Sequence, residues 1–377
     1  MKIAVIFDAD ATGGGGYFQS LKTSILLKNI ESSSLNFVFI RTDKNDGSND
    51  DFIKHKIKPI LFKKKRLSRL YYRLSESKFL NYFFKKSKNP FNKFLIKEKI
   101  DLAFFLGPSD FINYCEDINF ITNIYDINFK FENSFPEYKN RNYNMFEKSV
   151  NTAYRILVDT KRTREELIKY FNCYEKKINI YPFDPYLPTV YNEIKDKFKP
   201  EDNLKAIGLK ENEKFIFYPA QFWAHKNHKY LIDVAEKLEE QKLDKIHFVF
   251  CGYDKGNKQY IDSLISKKKI DNFFTILNFI DDKSLISLYL NCFGVVMPSF
   301  VGHTTIPMYE SFYFRKNIFY TKDLCDNSVK NYLTEINIKD PNSFIEEYKK
   351  IISKEELNKK KLDEAKLFID NLNIDET

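Results

Sequence analysis

The sequence predicts an α/β protein of two domains, each organised around a parallel sheet. Three observations lead there. Short apolar runs of strand length alternate with longer amphipathic runs of helical period, the pattern of βαβ units. That alternation breaks once, over a stretch dense in proline and charge from Pro182 to Lys214, and then restarts with a fresh apolar run. The 377 residues, 43% hydrophobic and 16% aromatic, are enough for two cores.

In the first half, strands are expected over 2–7 (KIAVIF), 36–41 (NFVFIR), 58–62 (KPILF), 102–106 (LAFFL), 120–125 (FITNIY) and 155–159 (RILVD). The second half offers 214–220 (KFIFYPA), the run HFVFCG ending at Gly252, 274–279 (FTILNF), 294–299 (GVVMPS) and 318–321 (IFYT). Helical segments lie between most of them, among them 228–240 and 282–292. Two Rossmann-like halves are the economical reading. The expected boundaries are a first domain over 1–184, a linker over 185–213 and a second domain over 214–360. A C-terminal helix or tail over 361–377 could pack back on the first domain. No internal repeat and no low-complexity tail is visible.

Composition excludes several classes. No stretch reaches the roughly 18 uncharged apolar residues of a membrane-spanning helix, and the N-terminal run meets Asp8 too soon for a secretory signal. The five cysteines are far apart, without a C-x-x-C pair, and read as reduced packing residues. The five histidines form no ligand pattern, so no metal is expected. The net charge of +9 is local in origin: residues 54–99 hold 16 Lys/Arg against Glu76 and Glu98, a net of +14, and the remainder is slightly acidic.

Three turns could carry chemistry. After the first strand, four glycines from Gly13 to Gly16 leave the backbone open to a ligand at a helix start. The dinucleotide fingerprint is not met, because position 18 is Phe18. The neighbouring Asp8 and Asp10 form a D-A-D, a weak metal-site pattern. After the seventh strand, the loop with Gln221, Trp223, His225, Lys226, Asn227 and His228 opens a helix, where a lysine can join the helix dipole in meeting a diphosphate. The bland alternative is a solvated lysine. Near the end of the second half, Gly302, His303, Thr304 and Thr305 offer amides and hydroxyls before a helix whose first-turn proline is Pro307. Glu310 follows. It either offsets the helix dipole, worth about 0.3–1 kcal/mol, or accepts hydrogen bonds from two vicinal hydroxyls.

The last two turns, with the twin βα halves, resemble the GT-B glycosyltransferases, in particular the retaining glycosyltransferase family 4. That family reads G-R-x4-K-G after its corresponding strand, and later P-S-x2-E-G-x-G-x-P-x2-E. Gln221 and Lys226 stand at the Arg and Lys places, and Pro298, Ser299, Pro307 and Glu310 fall on the later motif. Two positions depart: Gln221 replaces the family Arg, and Gly302 stands where the first Glu belongs. A branch reading G-P-T-N-I-P-P-L-E shares the second departure, and 302–310 (GHTTIPMYE) follows that branch. The region 125–171 is similar to the branch's W-D-x2-H-x-x-x-P-E-F segment, which puts Tyr125 and Asp126 on the acceptor side. Asp126 reads equally as a turn or helix cap.

The resemblance implies two Rossmann-like domains facing across a cleft. It implies metal-independent transfer of a sugar from a nucleotide-sugar donor to a glycan or lipid-linked acceptor, with retention. The setting it suggests is bacterial surface polysaccharide assembly, lipopolysaccharide O-antigen or capsule, in the cytoplasm. The donor would lie mostly on the second domain: Lys226 and amides near Gly302, His303, Thr304 and Thr305 at the diphosphate, Gln221 beside them, Glu310 at the ribose, and backbone near Phe279 and Ile280 at the base. Catalytic roles fall to Lys226, Glu310 and Asp126, with Gly14 and Gly15 bordering the acceptor. Within 54–99, basic residues interleave with Phe and Tyr, as in a nucleic-acid patch or an interfacial membrane segment. Given the resemblance, an anionic membrane surface is the expected partner and nucleic acid is not. A sugar-nucleotide epimerase of similar architecture and a basic nucleic-acid or membrane-binding module remain as alternatives.

Overall fold

In a computed structural model of the chain, residues 1–9, 14–42, 48–63, 89–131, 141–209 and 214–372 are described. They form two compact units. The first comprises Met1–Ile127 with Pro136–Pro182, the second Phe183–Glu376 with Asn128–Phe135.

The first unit is a seven-stranded parallel sheet of β1 (Lys2–Phe7), β2 (Asn36–Thr42), β3 (Ile60–Phe62), β4 (Leu102–Phe105), β5 (Asn119–Asn123), β6 (Arg155–Val158) and β7 (Ile178–Ile180), in the order β3-β2-β1-β4-β5-β6-β7. Val5, fully buried, sits between Phe39 and Phe104. A strand covered on both faces reads as a continuous apolar run, as β1 does. The helices are α1 (Gly15–Asn29), α2 (Ser48–Lys54), α3 (Pro90–Lys97), α4 (Arg141–Thr152) and α5 (Lys161–Phe171). α3 starts where it does because the Asn89 side chain accepts the amides of Phe91 (2.9 Å) and Asn92 (3.3 Å), with Pro90 at the first position. Its Phe91 then joins Phe62 and Phe111 in an aromatic cluster with centroids 4.8–5.6 Å apart, Phe62 edge-on to the other two. α1 buries Ser20, Thr23 and Ser24, whose hydroxyls each bond the carbonyl four residues back at 2.8 Å.

The second unit is a six-stranded parallel sheet of β8 (Phe215–Pro219), β9 (His247–Cys251), β10 (Phe274–Leu277), β11 (Gly294–Met297), β12 (Asn317–Thr321) and β13 (Thr334–Ile336), ordered β10-β9-β8-β11-β12-β13. Its helices are α6 (Leu187–Ile194), α7 (Pro200–Ala206), α8 (His228–Glu240), α9 (Lys258–Lys268), α10 (Asp282–Asn291), α11 (Ile306–Tyr313), α12 (Pro341–Ser353) and α13 (Glu355–Asp370). Residues 185–213, read from sequence as linker, hold α6 and α7. Their prolines Pro188 and Pro200 sit in helix first turns, where the missing N–H costs nothing. α6 rests on this unit through Tyr191 against Phe314 at 5.5 Å. Phe368 of α13 is 5.1–6.4 Å from Tyr309, Phe312 and Tyr332, so the C-terminal helix has its partners in the second unit.

In each sheet the strand order reverses once, between β1 and β4 and between β8 and β11. In open α/β sheets, ligands bind beyond the carboxyl ends of the strands at such a reversal. No described helix is long and apolar enough to cross a membrane.

Candidate active site

The two ligand-suited turns of the second unit follow β8 and β11, the strands flanking its reversal. They are stitched together. The Phe300 amide donates to the His225 carbonyl at 2.9 Å, and Asn227 Nδ2 donates to the Pro298 carbonyl at 3.0 Å. Beneath them the fully buried Tyr218 gives its O–H to the Lys226 carbonyl and lies 3.5 Å from Ser299 Oγ. Burial in this apolar bed pushes the Tyr218 phenol well up, so it remains a donor at any ordinary pH. Lys226 is half-buried at the end of a short turn (Ala224–Lys226), two residues before α8. A lysine held this way, before a helix N-terminus, suits an anionic group.

His225 and His228 are both buried and both neutral, with ring pKa values lowered to about 3. Burial is the main cause for each, and the Lys226 charge adds to it. His228 stacks on Phe222 (4.5 Å, 16°) and lies 4.6 Å from Tyr218. These histidines are packing groups that shape the loop. Gln221 Oε1 accepts from the Trp223 indole at 2.9 Å, so the residue at the family Arg place braces the loop's aromatic tip. Gly252 was not singled out from sequence, yet the loop depends on it: a Cβ there would lie 2.4 Å from the Ala220 carbonyl oxygen and 2.8 Å from Gln221 Cα. Only glycine allows the end of β9 so close to this backbone.

In the second turn, Gly302 adopts φ +114 and its carbonyl accepts from Tyr320 O–H at 2.8 Å. The side chains of His303 and Thr304 are buried, His303 Nδ1 lying 3.3 Å from the Leu324 carbonyl oxygen. Thr305 caps α11, its Oγ1 accepting from the Met308 amide at 3.3 Å. What the turn can present to a ligand is therefore mainly backbone.

Glu310 is the fifth residue of α11, past the first turn where a carboxylate chiefly compensates the dipole. It is 6% exposed, and its Oε2 accepts from Tyr289 O–H of α10 at 2.6 Å. Burial raises its pKa to about 7; the phenol's hydrogen bond opposes that and the nearby Asp282 carboxylate adds to it. From sequence, Glu310 reads as an acid in or just past the first turn, offsetting the helix dipole or accepting from two vicinal hydroxyls. The structure gives a buried carboxyl that already accepts one hydrogen bond and titrates near neutrality. Beyond β10, Phe279 is 56% exposed and stacks on Tyr253 (5.1 Å, 17°), with Ile280 half-buried next to it. The pair offers a flat aromatic surface.

In the first unit, Gly14 caps α1 with φ +66 and its carbonyl accepts the Tyr17 amide at 3.0 Å, while Gly15 is exposed. Tyr125 is anchored rather than presented. Its O–H donates to the Leu106 carbonyl at 2.8 Å, and its ring passes 3.6 Å from where a Cβ on Gly16 would be. Burial lifts its phenol to about 12. Asp126 is half-buried after it. Asp8 accepts from Thr42 and, at 2.5 Å, from Ser109; Asp10 and Gly13 lie outside the described residues. Among the described residues no group of three or more His, Cys, Asp or Glu is arranged for a metal ion. All five cysteines are buried and in no disulfide.

Residues 200–367 match the family described as Glycosyl transferases group 1. Among curated proteins none matches the chain. Solved structures do match. A glycosyltransferase from Rickettsia africae ESF-5 is 16% identical, with 99% of this chain and 95% of that chain covered and a TM-score of 0.70. Sucrose-phosphate synthase from Thermosynechococcus elongatus is 13% identical over 98% and 94%, with a TM-score of 0.72. Anabaena HepE in complex with UDP-glucose gives the same identity, coverage and TM-score. At such identities the likeness is one of fold. Residues 200–367 thus carry a group 1 glycosyl transferase domain, and both parallel-sheet units have the Rossmann-like fold of GT-B proteins.

Proposed function

We propose that the protein is a retaining glycosyltransferase of the family 4 type, moving a sugar from a nucleotide-sugar donor to a glycan or lipid-linked glycan in bacterial surface polysaccharide assembly. One observation carries this reading: the turns after β8 and β11, joined by hydrogen bonds, bring a lysine and a glycine-led helix start to the strand-order reversal of the unit that matches the family. HepE with its UDP-glucose shares the fold, which supports a uridine or similar nucleotide sugar as donor.

Lys226 and the amides around Gly302–Thr305 neutralise the diphosphate as the glycosidic bond to it breaks. Stabilising that leaving group is where catalysis is gained, because charge develops there in the transition state. Glu310 takes the ribose hydroxyls, and the base lies against backbone near Phe279 and Ile280. Gln221 orders the loop. Gly14, Gly15 and Asp126 serve the acceptor, with Tyr125 fixing the backbone that holds Asp126. No metal is assigned a role. The protein works in the cytoplasm, at the inner membrane face where lipid-linked acceptors lie.

The test is incubation with UDP-, GDP-, ADP- and CMP-sugars in the presence of EDTA and a lipid-linked glycan. The reading expects nucleotide release with at least one donor and a product of the donor's anomeric configuration. Silence toward every donor would sink it, and an epimeric nucleotide sugar formed without release would favour the epimerase.

A further inference from the structure

We propose that Tyr289 is the positioning residue for Glu310 in donor recognition: its phenol O–H, bonded to Oε2, fixes the carboxylate so that the remaining acceptor sites meet ligand hydroxyls. This rests on the reading of Glu310 as the ribose ligand. Tyr289 is fully buried in α10, its ring edge-on to Phe217 at 5.3 Å and stacked on Phe314 at 5.5 Å and 20°. The ring cannot swing without breaking both contacts. A buried carboxyl on its own would turn among rotamers or take up a proton, which turns one oxygen into a donor and leaves fewer acceptor sites. The 2.6 Å bond from a rigid donor prevents the first and opposes the second. An ionised carboxylate has about four lone-pair sites and the phenol occupies one, so two vicinal hydroxyls can still be accepted.

Among the described residues, the charges around the pair are few. Asp282, at the start of α10, disfavours ionisation of Glu310. Cys251 and Cys292 face Tyr289, but burial pushes their thiols up to about 12 and about 11, so both are neutral at physiological pH. The Glu310 carboxyl, raised to about 7 by burial, then titrates in the physiological range. Ligand hydroxyls favour the ionised form, so donor binding below pH 7 expels a proton from Glu310.

The experiment is calorimetric titration with UDP-glucose from pH 5.5 to 8.5, in buffers of different ionisation heat; the ligand's diphosphate has no proton to lose in that range. In the wild type, affinity should rise with pH and level off near 7, with up to one proton released on the rising limb. Tyr289→Phe keeps the ring and loses the donor. It should move the limb upward by about one pH unit and weaken binding at pH 7 about tenfold, the scale of a hydrogen bond to a charged group. A limb at the wild-type pH in Tyr289→Phe overturns the proposal, whatever happens to affinity. Glu310→Gln should abolish the limb, and wild-type affinity and limb in that variant would instead overturn the donor-site reading itself. Should UDP-glucose not bind, the carboxyl 13C titration of Glu310 decides: a midpoint raised by Tyr289→Phe supports the proposal, and an unmoved one overturns it.

Discussion

Gly302 and His228 are two residues whose chemistry depends on backbone and burial more than on reactivity. Gly302 stands where the family motif carries a glutamate, and its φ of +114 is a conformation that a glutamate would adopt only with strain of about 1–3 kcal/mol. Its departure from the motif goes with the backbone, and in the proposed function contacts to the donor sugar would fall to the amides around it. His228 contributes through burial. Its ring stays neutral in the folded protein down to about pH 3, whereas in the unfolded chain it takes a proton below its ordinary 6.5. The stability this supplies is complete above pH 6.5 and is lost as pH falls from 6.5 toward 3, by up to about 1.4 kcal/mol per pH unit. His225 acts in the same sense. Glu310 acts in the opposite one: its raised pKa gives stability complete below 4.5 and lost as pH rises toward 7. Two histidines outweigh one glutamate, so stability should fall on acidification below pH 6.5. His228→Phe keeps the stacking on Phe222 and should make the acid limb of Tm shallower by one ring's share. An unchanged limb would contradict a buried, neutral His228.

Elements were legible to unequal depth. α8 runs over His228–Glu240, the span its periodicity predicts, because apolar residues at helical spacing leave little choice. β7 and β13 were missed, being three residues each, too short to show a period. α6 and α7 were missed because proline was taken as a breaker when here it starts helices. The loops bearing Lys226 and Gly302 were readable as turns between a strand and a helix, since glycine and first-turn proline have local meaning. The Tyr289–Glu310 bond and the close approach at Gly252 were not, because each joins residues far apart in sequence. For the basic segment over 54–99, residues 64–88 lie outside the described part. Its described flanks expose Leu61 (44%) beside Lys63 and, in α3, Ile96 (52%) next to Lys97. Apolar and basic groups together suit an anionic lipid surface, at about 1 kcal/mol per basic residue near it. The full-length protein should therefore sediment with phosphatidylglycerol-containing vesicles at low salt and be released at high salt. Equal sedimentation with neutral vesicles, or none with either, would refute that role.

In the proposed function, donor recognition falls to one unit of the molecule. The second unit has the strand-order reversal, the stitched loops after β8 and β11, a lysine before a helix start and a buried carboxyl held by a tyrosine. The first unit has its own reversal, a glycine-led α1 and an anchored Tyr125 next to Asp126. Fold alone does not assign such sites a reaction. In the proposed function, Lys226 and Glu310 together hold a nucleotide-sugar donor. The most direct measurement is donor affinity, at pH 8 and with folding checked by circular dichroism, for the wild type, Lys226→Ala and Glu310→Ala against the panel of nucleotide sugars. One donor should bind the wild type, and each substitution should weaken it by about 10- to 100-fold, the loss expected for hydrogen bonds to charged groups. Wild-type affinity in both variants, or no binding of any donor to the wild type, would contradict it.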